Sequence, residues 1–504
     1  MSRFRFGTIL LLPVILGAQN LKEFEKKVTE FTLPNGLHFI IAERHEAPVV
    51  SFHTYVSAGS VDDPSGETGL AHMFEHMAFK GTETIGTRDW TGEKKALEAI
   101  EEVYDRLEAE RNKGPKADQS QIDALDARLK LAIDQAQTYV EPNEYTRVIE
   151  ENGGVGMNAG TGLDSTEYFY SLPSNRIELW FLLESQRFLH PVFREFYKER
   201  DVVLEERRMR VESSPQGKLQ EDFLTTAFAA NPYHNPPGGW PSDIVNLRSS
   251  EAKAFFDKYY VPANVTMAIV GDVNPADAKR MAERYFGPWQ ARPLPPILHT
   301  LEPPQPGPKT AIVESASQPI ELLGYKRPNQ YDKDDAVFDV IQLVLSHGRT
   351  GLLYKDLVQD KKIALAAQAI SNYPGSRYPN LFTFVLVPAL GHTVEENQKA
   401  FEELLARFTA QPVDAASLAR AKTQARAGVI RRLANNAGLA ELLTSYSANY
   451  GDWRKLFTSL DDLNKVTTLD VQRVALHYFV TPSRTTAYTA APPAGGQTTR
   501  GGRR

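Results

Sequence analysis

Gly69-Leu70-Ala71-His72-Met73-Phe74-Glu75-His76-Met77-Ala78-Phe79-Lys80-Gly81-Thr82 is the stretch on which the reading of this chain turns. Apolar residues recur at helical spacing between two glycines, which predicts an amphipathic helix opening at Gly69 and ending near Lys80-Gly81. His72 and His76 are four apart, so their rings leave one helical face a single turn from each other. Two imidazoles at that spacing can share one metal ion. Glu75 lies beside the same stripe, within reach of a water at such an ion.

The chain has no cysteine, so a metal here must be held by His, Asp and Glu. Glu199-Arg200-Asp201-Val202-Val203-Leu204-Glu205-Glu206 reads as a second helix, with Glu199 and Glu206 seven apart on one face. Val202, Val203 and Leu204 give that helix a buried side. Carboxylates near a buried side are costly without a cation. Two His and one carboxylate make a zinc site with one position left for water.

Working outward, the chain has 504 residues, 42% hydrophobic and 24% charged, too long for one hydrophobic core. A net charge of −6 offers no basic face for nucleic acid or anionic lipid. Arg3 and Arg5 precede an apolar run from Phe6 to Ala18, which predicts a signal peptide over 1–18. No later stretch is apolar enough to span a membrane, so the expectation is an exported, periplasmic, soluble protein.

Around the histidine motif, Phe31 to Ala42 reads as two strands about a Pro34-Asn35-Gly36 turn, and Val49 to Val56 as another strand. Residues 152–173 are strand-rich, and 176–190 and 194–212 are helical. Leu97, Ile100, Val103 and Leu107, then Ile122, Leu125, Leu129 and Ile133, form a charged helical hairpin over 93–140, whose plain reading is a surface insertion. Gly287 to Pro308 holds seven prolines after its Gly-Pro start, which marks a linker. Asp257 to Thr266 and Ala475 to Arg484 echo each other, each a helix tail with paired aromatics running through a proline into a strand. The expectation is α+β: two homologous domains, 21–285 and 310–490, each a mostly antiparallel sheet covered by helices. The linker is 286–309, and a disordered tail is expected from 491.

The chain resembles the inverted-zincin peptidases of the pitrilysin and insulin-degrading-enzyme type, nearest to the two-domain bacterial branch similar to mitochondrial processing peptidase. The resemblance rests on Leu33-x-Asn35-Gly36-Leu37, Gly59-Ser60, the Gly69–Thr82 stretch, and Glu199-Arg200 through Glu206. It implies a zinc endopeptidase in which His72, His76 and Glu206 hold Zn2+, Glu199 orients the site and Glu75 is the general base. It implies that the strand with Asn158-Ala159, and Thr166-x-Tyr168, line a cleft where an extended peptide pairs. His234 reads as loop packing instead. The 129 residues between His76 and Glu206 exceed the family pattern by about fifty, which the hairpin accounts for.

In active relatives the second domain commonly supplies an Arg and a Tyr seven apart. Here Val358 and Leu365 stand at those positions, and Arg349 and Tyr354 have the wrong spacing. The resemblance then implies half of a peptide-enclosing clamp, completed by a paralogous subunit that brings the Arg/Tyr pair, or by a second copy in a homodimer. A non-catalytic scaffold on the same fold is the alternative. Such a subunit is expected to have lost ligands, whereas all four site residues stand here.

Overall fold

The computed structural model describes residues 18–492. The expected leader, apart from Ala18, and the tail beyond 492 lie outside them. Two sheets organise the chain. The first contains β1 (Val28–Thr32), β2 (His38–Glu43), β3 (Val49–Val56), β4 (Val155–Thr161), β5 (Thr166–Pro173) and β6 (Val265–Gly271), in the order β1-β2-β6-β3-β5-β4. The second contains β7 (Lys309–Glu314), β8 (Glu321–Arg327), β9 (Ala364–Tyr373), β10 (Asn380–Pro388) and β11 (Arg484–Ala490), in the order β7-β11-β8-β10-β9.

Neighbouring strands are antiparallel except β2 with β6 and β7 with β11. In each half, therefore, the last strand slots between two earlier ones and runs parallel to the first of them. It is also reached the same way. A helix ends at Tyr259 or Tyr478, a short turn follows at Pro262–Asn264 or Thr481–Ser483, and the strand starts at Val265 or Arg484. The fold is α+β with two like halves.

β3 is buried at every position after Val49, so both faces of its sheet must be covered. One face meets the helix Ile177–Leu189, where Trp180 stacks on Phe52 at 4.6 Å and Phe181 packs beside Phe39. The other face is covered from the far half of the chain. Leu439, Ala440 and Leu443 of the helix Asn436–Tyr450 pack with Trp453 on Ile40, Ala42, Ala268 and Val270. The debt is reciprocal. Helix Pro215–Ala227 of the first half lays Leu219 and Phe223 on Leu322, Leu381 and Ala487 of the second sheet. Gly324 is required there, since a Cβ on it would stand 2.6 Å from Phe223 Cζ.

Polar ties follow the same seam. Ser376 N–H donates to Asp164 at 2.7 Å, Arg377 pairs with Asp62 at 3.3 Å, and His53 Nδ1 meets Thr444 Oγ1 at 2.8 Å. Residues 287–308 form neither helix nor strand, yet they are fastened. The Glu302 carboxylate accepts from the N–H groups of Ala229, Ala230 and Asn231 at 2.9–3.0 Å.

The hairpin consists of helices Trp90–Arg111 and Gln119–Gln137. Its inner face is core rather than surface: Ile100, Tyr104 and Leu107 are buried with the first domain's cluster. Glu93 and Arg194, each 1% exposed, pair at 2.6 Å, and Tyr197 Oη donates to Glu101 at 2.7 Å. One side of its first helix thus finds partners in the body of the domain along its length, while the tip around Arg111 to Lys116 is exposed.

Removing the Phe223 ring should open a cavity under the second sheet and cost about 3–5 kcal/mol. Urea unfolding of Phe223→Ala measures this. A loss under about 1 kcal/mol would mean that the borrowed helix is not what covers that sheet.

Candidate metal site

The histidine helix spans Leu70–Met77, stopping a turn earlier than the sequence pattern implies. Gly69 precedes it with φ 97°, in the left-handed region where a side chain is disfavoured. The Asp63 carboxylate accepts from Gly69 N–H at 2.8 Å and Ala71 N–H at 2.9 Å, satisfying two donors at the helix start. Thr68 Oγ1 donates to Asp243 at 2.7 Å and accepts from Trp240 N–H at 2.8 Å, which fixes the entry. Met73, Phe74 and Met77 are buried in the core, so His72, Glu75 and His76 turn to the opposite, half-buried side.

The second helix is Phe196–Arg207, followed by a wide π-type turn over Arg208–Glu212. Its buried stripe is Phe196, Glu199, Val203 and Arg207, at spacings of three and four. Val202, expected on the buried side, is 45% exposed, and Leu204 is only partly covered. The stripe brings Glu199 inward and leaves Glu206 on its flank, facing the histidines.

His76 Nε2 lies 3.3 Å from Glu206 Oε2, and His72 Nε2 lies 3.8 Å from the same oxygen. The two rings stand 4.9 Å apart and nearly perpendicular. Among the described residues these three form the one group of His, Asp or Glu able to converge on an ion, with ligand atoms all within 4.8 Å. Tetrahedral zinc with bonds of about 2.0–2.1 Å sets its ligand atoms roughly 3.4 Å apart, close to the two Glu206 distances, so the residues fit the ion once the two imidazoles draw together. Glu199 stands behind His76, with Oε2 3.4 Å from Nδ1, while Lys80 Nζ holds its other oxygen at 2.5 Å. Lys80 also reaches Glu195 at 3.4 Å. Glu75 makes no side-chain hydrogen bond among the described residues, and its charge is felt at both histidines.

The two histidines are pushed in opposite directions. Burial and the neighbouring His76 lower His72, whose Nδ1 is buried without a partner. Burial would lower His76 too, but the Glu199 hydrogen bond and the charges of Glu206, Glu199 and Glu75 outweigh it and raise it. The bonds from His76 and Lys80 hold Glu199 below the usual carboxylate range in spite of its burial.

β4 is a sheet edge with β5 as its sole strand partner, and a register break separates Val155 from Asn158. Asn158 is exposed and Ala159 half-buried, so the outer backbone edge is free for an added strand. At the end of β4 and just beyond it, Thr161 and Leu163 meet His72 and Glu206 in a cleft of about 330 Å³, which Val203, Leu224 and Tyr373 also line. Thr166 and Tyr168 do not present side chains there. Both are buried, and Tyr168 Oη bonds Tyr260 Oη at 3.0 Å. His234 is half-buried in its own loop, apart from the three converging residues.

Two site residues were not read from the sequence. Asp63 caps the histidine helix from outside its periodic run, and no local pattern marks it. Arg210 Nη1 pairs with Glu206 Oε1 at 2.6 Å, and its only signal is the spacing of four from Glu206.

The profile described as Insulinase (Peptidase family M16) matches residues 38–101 and 129–238. A second, described as Peptidase M16 inactive domain, matches 246–425. The chain belongs to peptidase family M16. The first profile passes over residues 102–128, which lie in the hairpin. Zinc protease PqqE of Helicobacter pylori is 27% identical over 498 residues, covering 96% of this chain and 97% of that one. An uncharacterised zinc protease of Mycobacterium leprae is 22% identical over 89% of this chain and 88% of its own. The crystal structure of a protease from Helicobacter pylori aligns with a TM-score of 0.76 at 26% identity, over 92% of this chain and 99% of that chain. The periplasmic protease PqqL from Escherichia coli shares the fold at TM-score 0.68 and 16% identity, over 93% of this chain and 48% of its own.

Metal uptake requires both imidazoles neutral, and His76 keeps its proton to a pH above the ordinary 6.5. Zinc affinity of the apoprotein, measured against a competing chelator, should be flat at alkaline pH and fall as pH drops through that range. The Glu199→Gln protein, having lost the carboxylate charge that helps raise His76, should show the fall at lower pH. An unmoved midpoint would mean that Glu199 does not set the His76 proton.

Proposed function

We propose that this chain is a zinc-dependent endopeptidase acting on extended peptides or unfolded segments. The observation that carries the reading is the convergence of His72, His76 and Glu206 at zinc-ligand spacing, with Glu75 beside them on the same helix. One Zn2+ held there supplies Lewis-acid chemistry, polarising a peptide carbonyl and acidifying water. Glu75 takes the proton of the attacking water and returns it to the leaving amine. Glu199 and Lys80 orient His76 from behind. A substrate strand adds to the outer edge of β4, with Asn158 and Ala159 against it, and leads into the cleft beside His72.

The names of the relatives support a zinc protease in general terms. Export to the periplasm is part of the proposal. It rests on the leader-like residues 1–18, and the related PqqL is itself described as periplasmic. No helix among the described residues is long and apolar enough to cross a membrane.

The role of Glu75 separates from those of the ligands. Glu75→Gln should lose peptide cleavage by a factor of about 10² or more while keeping its zinc. His72→Ala and Glu206→Ala should lose both. A Glu75→Gln protein with normal turnover would remove Glu75 from the reaction.

We further propose that the working enzyme is a two-subunit clamp. Val358 and Leu365 stand where relatives commonly carry the Arg/Tyr pair that holds the substrate carbonyl. Neither can donate a hydrogen bond, and Leu365 is 60% exposed on β9. A related subunit supplying the pair, or a second copy of this chain, would close the cleft. The zinc-loaded protein assayed alone should be weak and should lose specific activity on dilution. Full activity as a monomer, undiminished on dilution, would leave no need for a partner.

A further inference from the structure

Arg210 has a place at the site that neither metal binding nor proton transfer uses. It lies one turn after Glu206, in the wide turn Arg208–Glu212, and its side chain is 75% exposed. It lines the cleft of about 330 Å³ that His72 and Glu206 also line. The other cation there, Arg207, is buried and already held by Glu221 at 2.7 Å, so its charge is spoken for. Arg210 has one carboxylate partner, Glu206 at 2.6 Å, and that carboxylate is the one a metal would draw on. With the metal in place, the attraction between Arg210 and Glu206 is shared with a dication. The guanidinium has five donors and needs few of them for Glu206. Leu163, Val203, Leu224 and Tyr373 give the wall an apolar stretch where methylene groups find cover, while Gln220 and Glu221, the latter paired with Arg207, add polar groups beside it.

We infer that Arg210 is a specificity-determining residue, which selects peptides carrying an Asp or Glu side chain at one of the two positions flanking the scissile bond. The inference rests on the peptidase reading above. A Glu side chain suits the cleft in both its parts: its two methylenes lie along the apolar stretch of wall, and its carboxylate accepts two parallel bonds that a planar guanidinium donates. A Lys side chain at the same position would bring a cation against Arg210 and the metal together. An exposed arginine is weak as a structural ion pair, but a cation free to exchange partners is what substrate selection at a rim requires.

The test uses the zinc-loaded full chain and paired peptides that differ only by Glu or Gln, or by Lys, at each flanking position. Cleavage sites and rates are read by mass spectrometry. The expected result is a preference for Glu over Gln of about tenfold in kcat/KM at one position, carried by KM. Arg210→Ala should bring the Glu and Gln peptides to parity relative to each other, and Arg210→Glu should reverse the preference toward Lys. Zinc content should stay at one per chain in both variants, which separates selection from loss of the ligand set. A second arm measures binding of the same peptides to zinc-loaded Glu75→Gln protein by fluorescence anisotropy, with and without Arg210→Ala. Equal binding and cutting of Glu and Gln peptides by the parent proteins would overturn the inference, as would a preference that survives Arg210→Ala. A parent that cuts nothing but still binds Glu peptides through Arg210 would sink the peptidase reading and leave the selection intact.

Discussion

A sheet with apolar residues on both faces has to be covered twice, and each half of this chain relies on the other for part of that cover. The helix Asn436–Tyr450 closes the first sheet from the second half, and Pro215–Ala227 closes the second sheet from the first. The site depends on this exchange. Helix Pro215–Ala227 follows directly on the turn that ends the Glu206 helix, and Glu221 on it grips Arg207, the neighbour of Glu206. The apolar demand of the second sheet thus bears on where Glu206 comes to rest. The hairpin presses on the same helix from its other end, through Glu93 on Arg194 and Glu101 on Tyr197.

Within that frame, the electrostatics keep four ionisable groups close together at tolerable cost. Glu199 answers His76 and is itself answered by Lys80, whose second contact is Glu195. The chain of alternating charges runs on from the buried Glu195 side chain to Lys198, which is exposed. His72 has no such support: burial and the neighbouring His76 lower it, and its buried Nδ1 has no partner among the described residues. The Asp63 cap matters for a related reason: a buried helix start with free N–H groups is costly, and the cap lets His72 sit within one turn of it.

Much of this was legible in the sequence where one local pattern decided one local outcome. The run Val49–Val56 is the third strand at both its ends. The spacing of His72, Glu75 and His76 gives their common face. The echo of 257–266 in 475–484 is the matched entry of β6 and β11 into their sheets. Readings went astray where tertiary packing chose between equal local options. Val202 and Val203 are both apolar, and only the position of the core shows that Val203 turns in. The hairpin has the charge of a surface element, but its apolar stripe found a ready wall in Tyr197 and Phe193. Thr166 and Tyr168 belong to an alternating strand, and which face meets the cleft is set by neighbours the sequence does not name. Asp63 and Arg210 act across turns or on a single partner, so no periodicity announces them.

The second half keeps the frame of the first without its chemistry, and the packing explains why it persists. The helix Asp335–Ser346 follows β8 much as the histidine helix follows β3, yet it carries no histidine. What it retains is its apolar face: Val337, Phe338, Ile341, Val344 and Leu345 are all buried. A half with no ligands could be dropped from the chain only if the other half folded alone. Dropping it would strip Leu439, Ala440, Leu443 and Trp453 from the back of β2 and β6, leaving Ile40, Ala42, Ala268 and Val270 in water. It would also free Phe223 and its helix from the surface that anchors them, and with them the support of the Glu206 helix. The ligand-free half is therefore held in the chain by the same burial that aligns the site in the other.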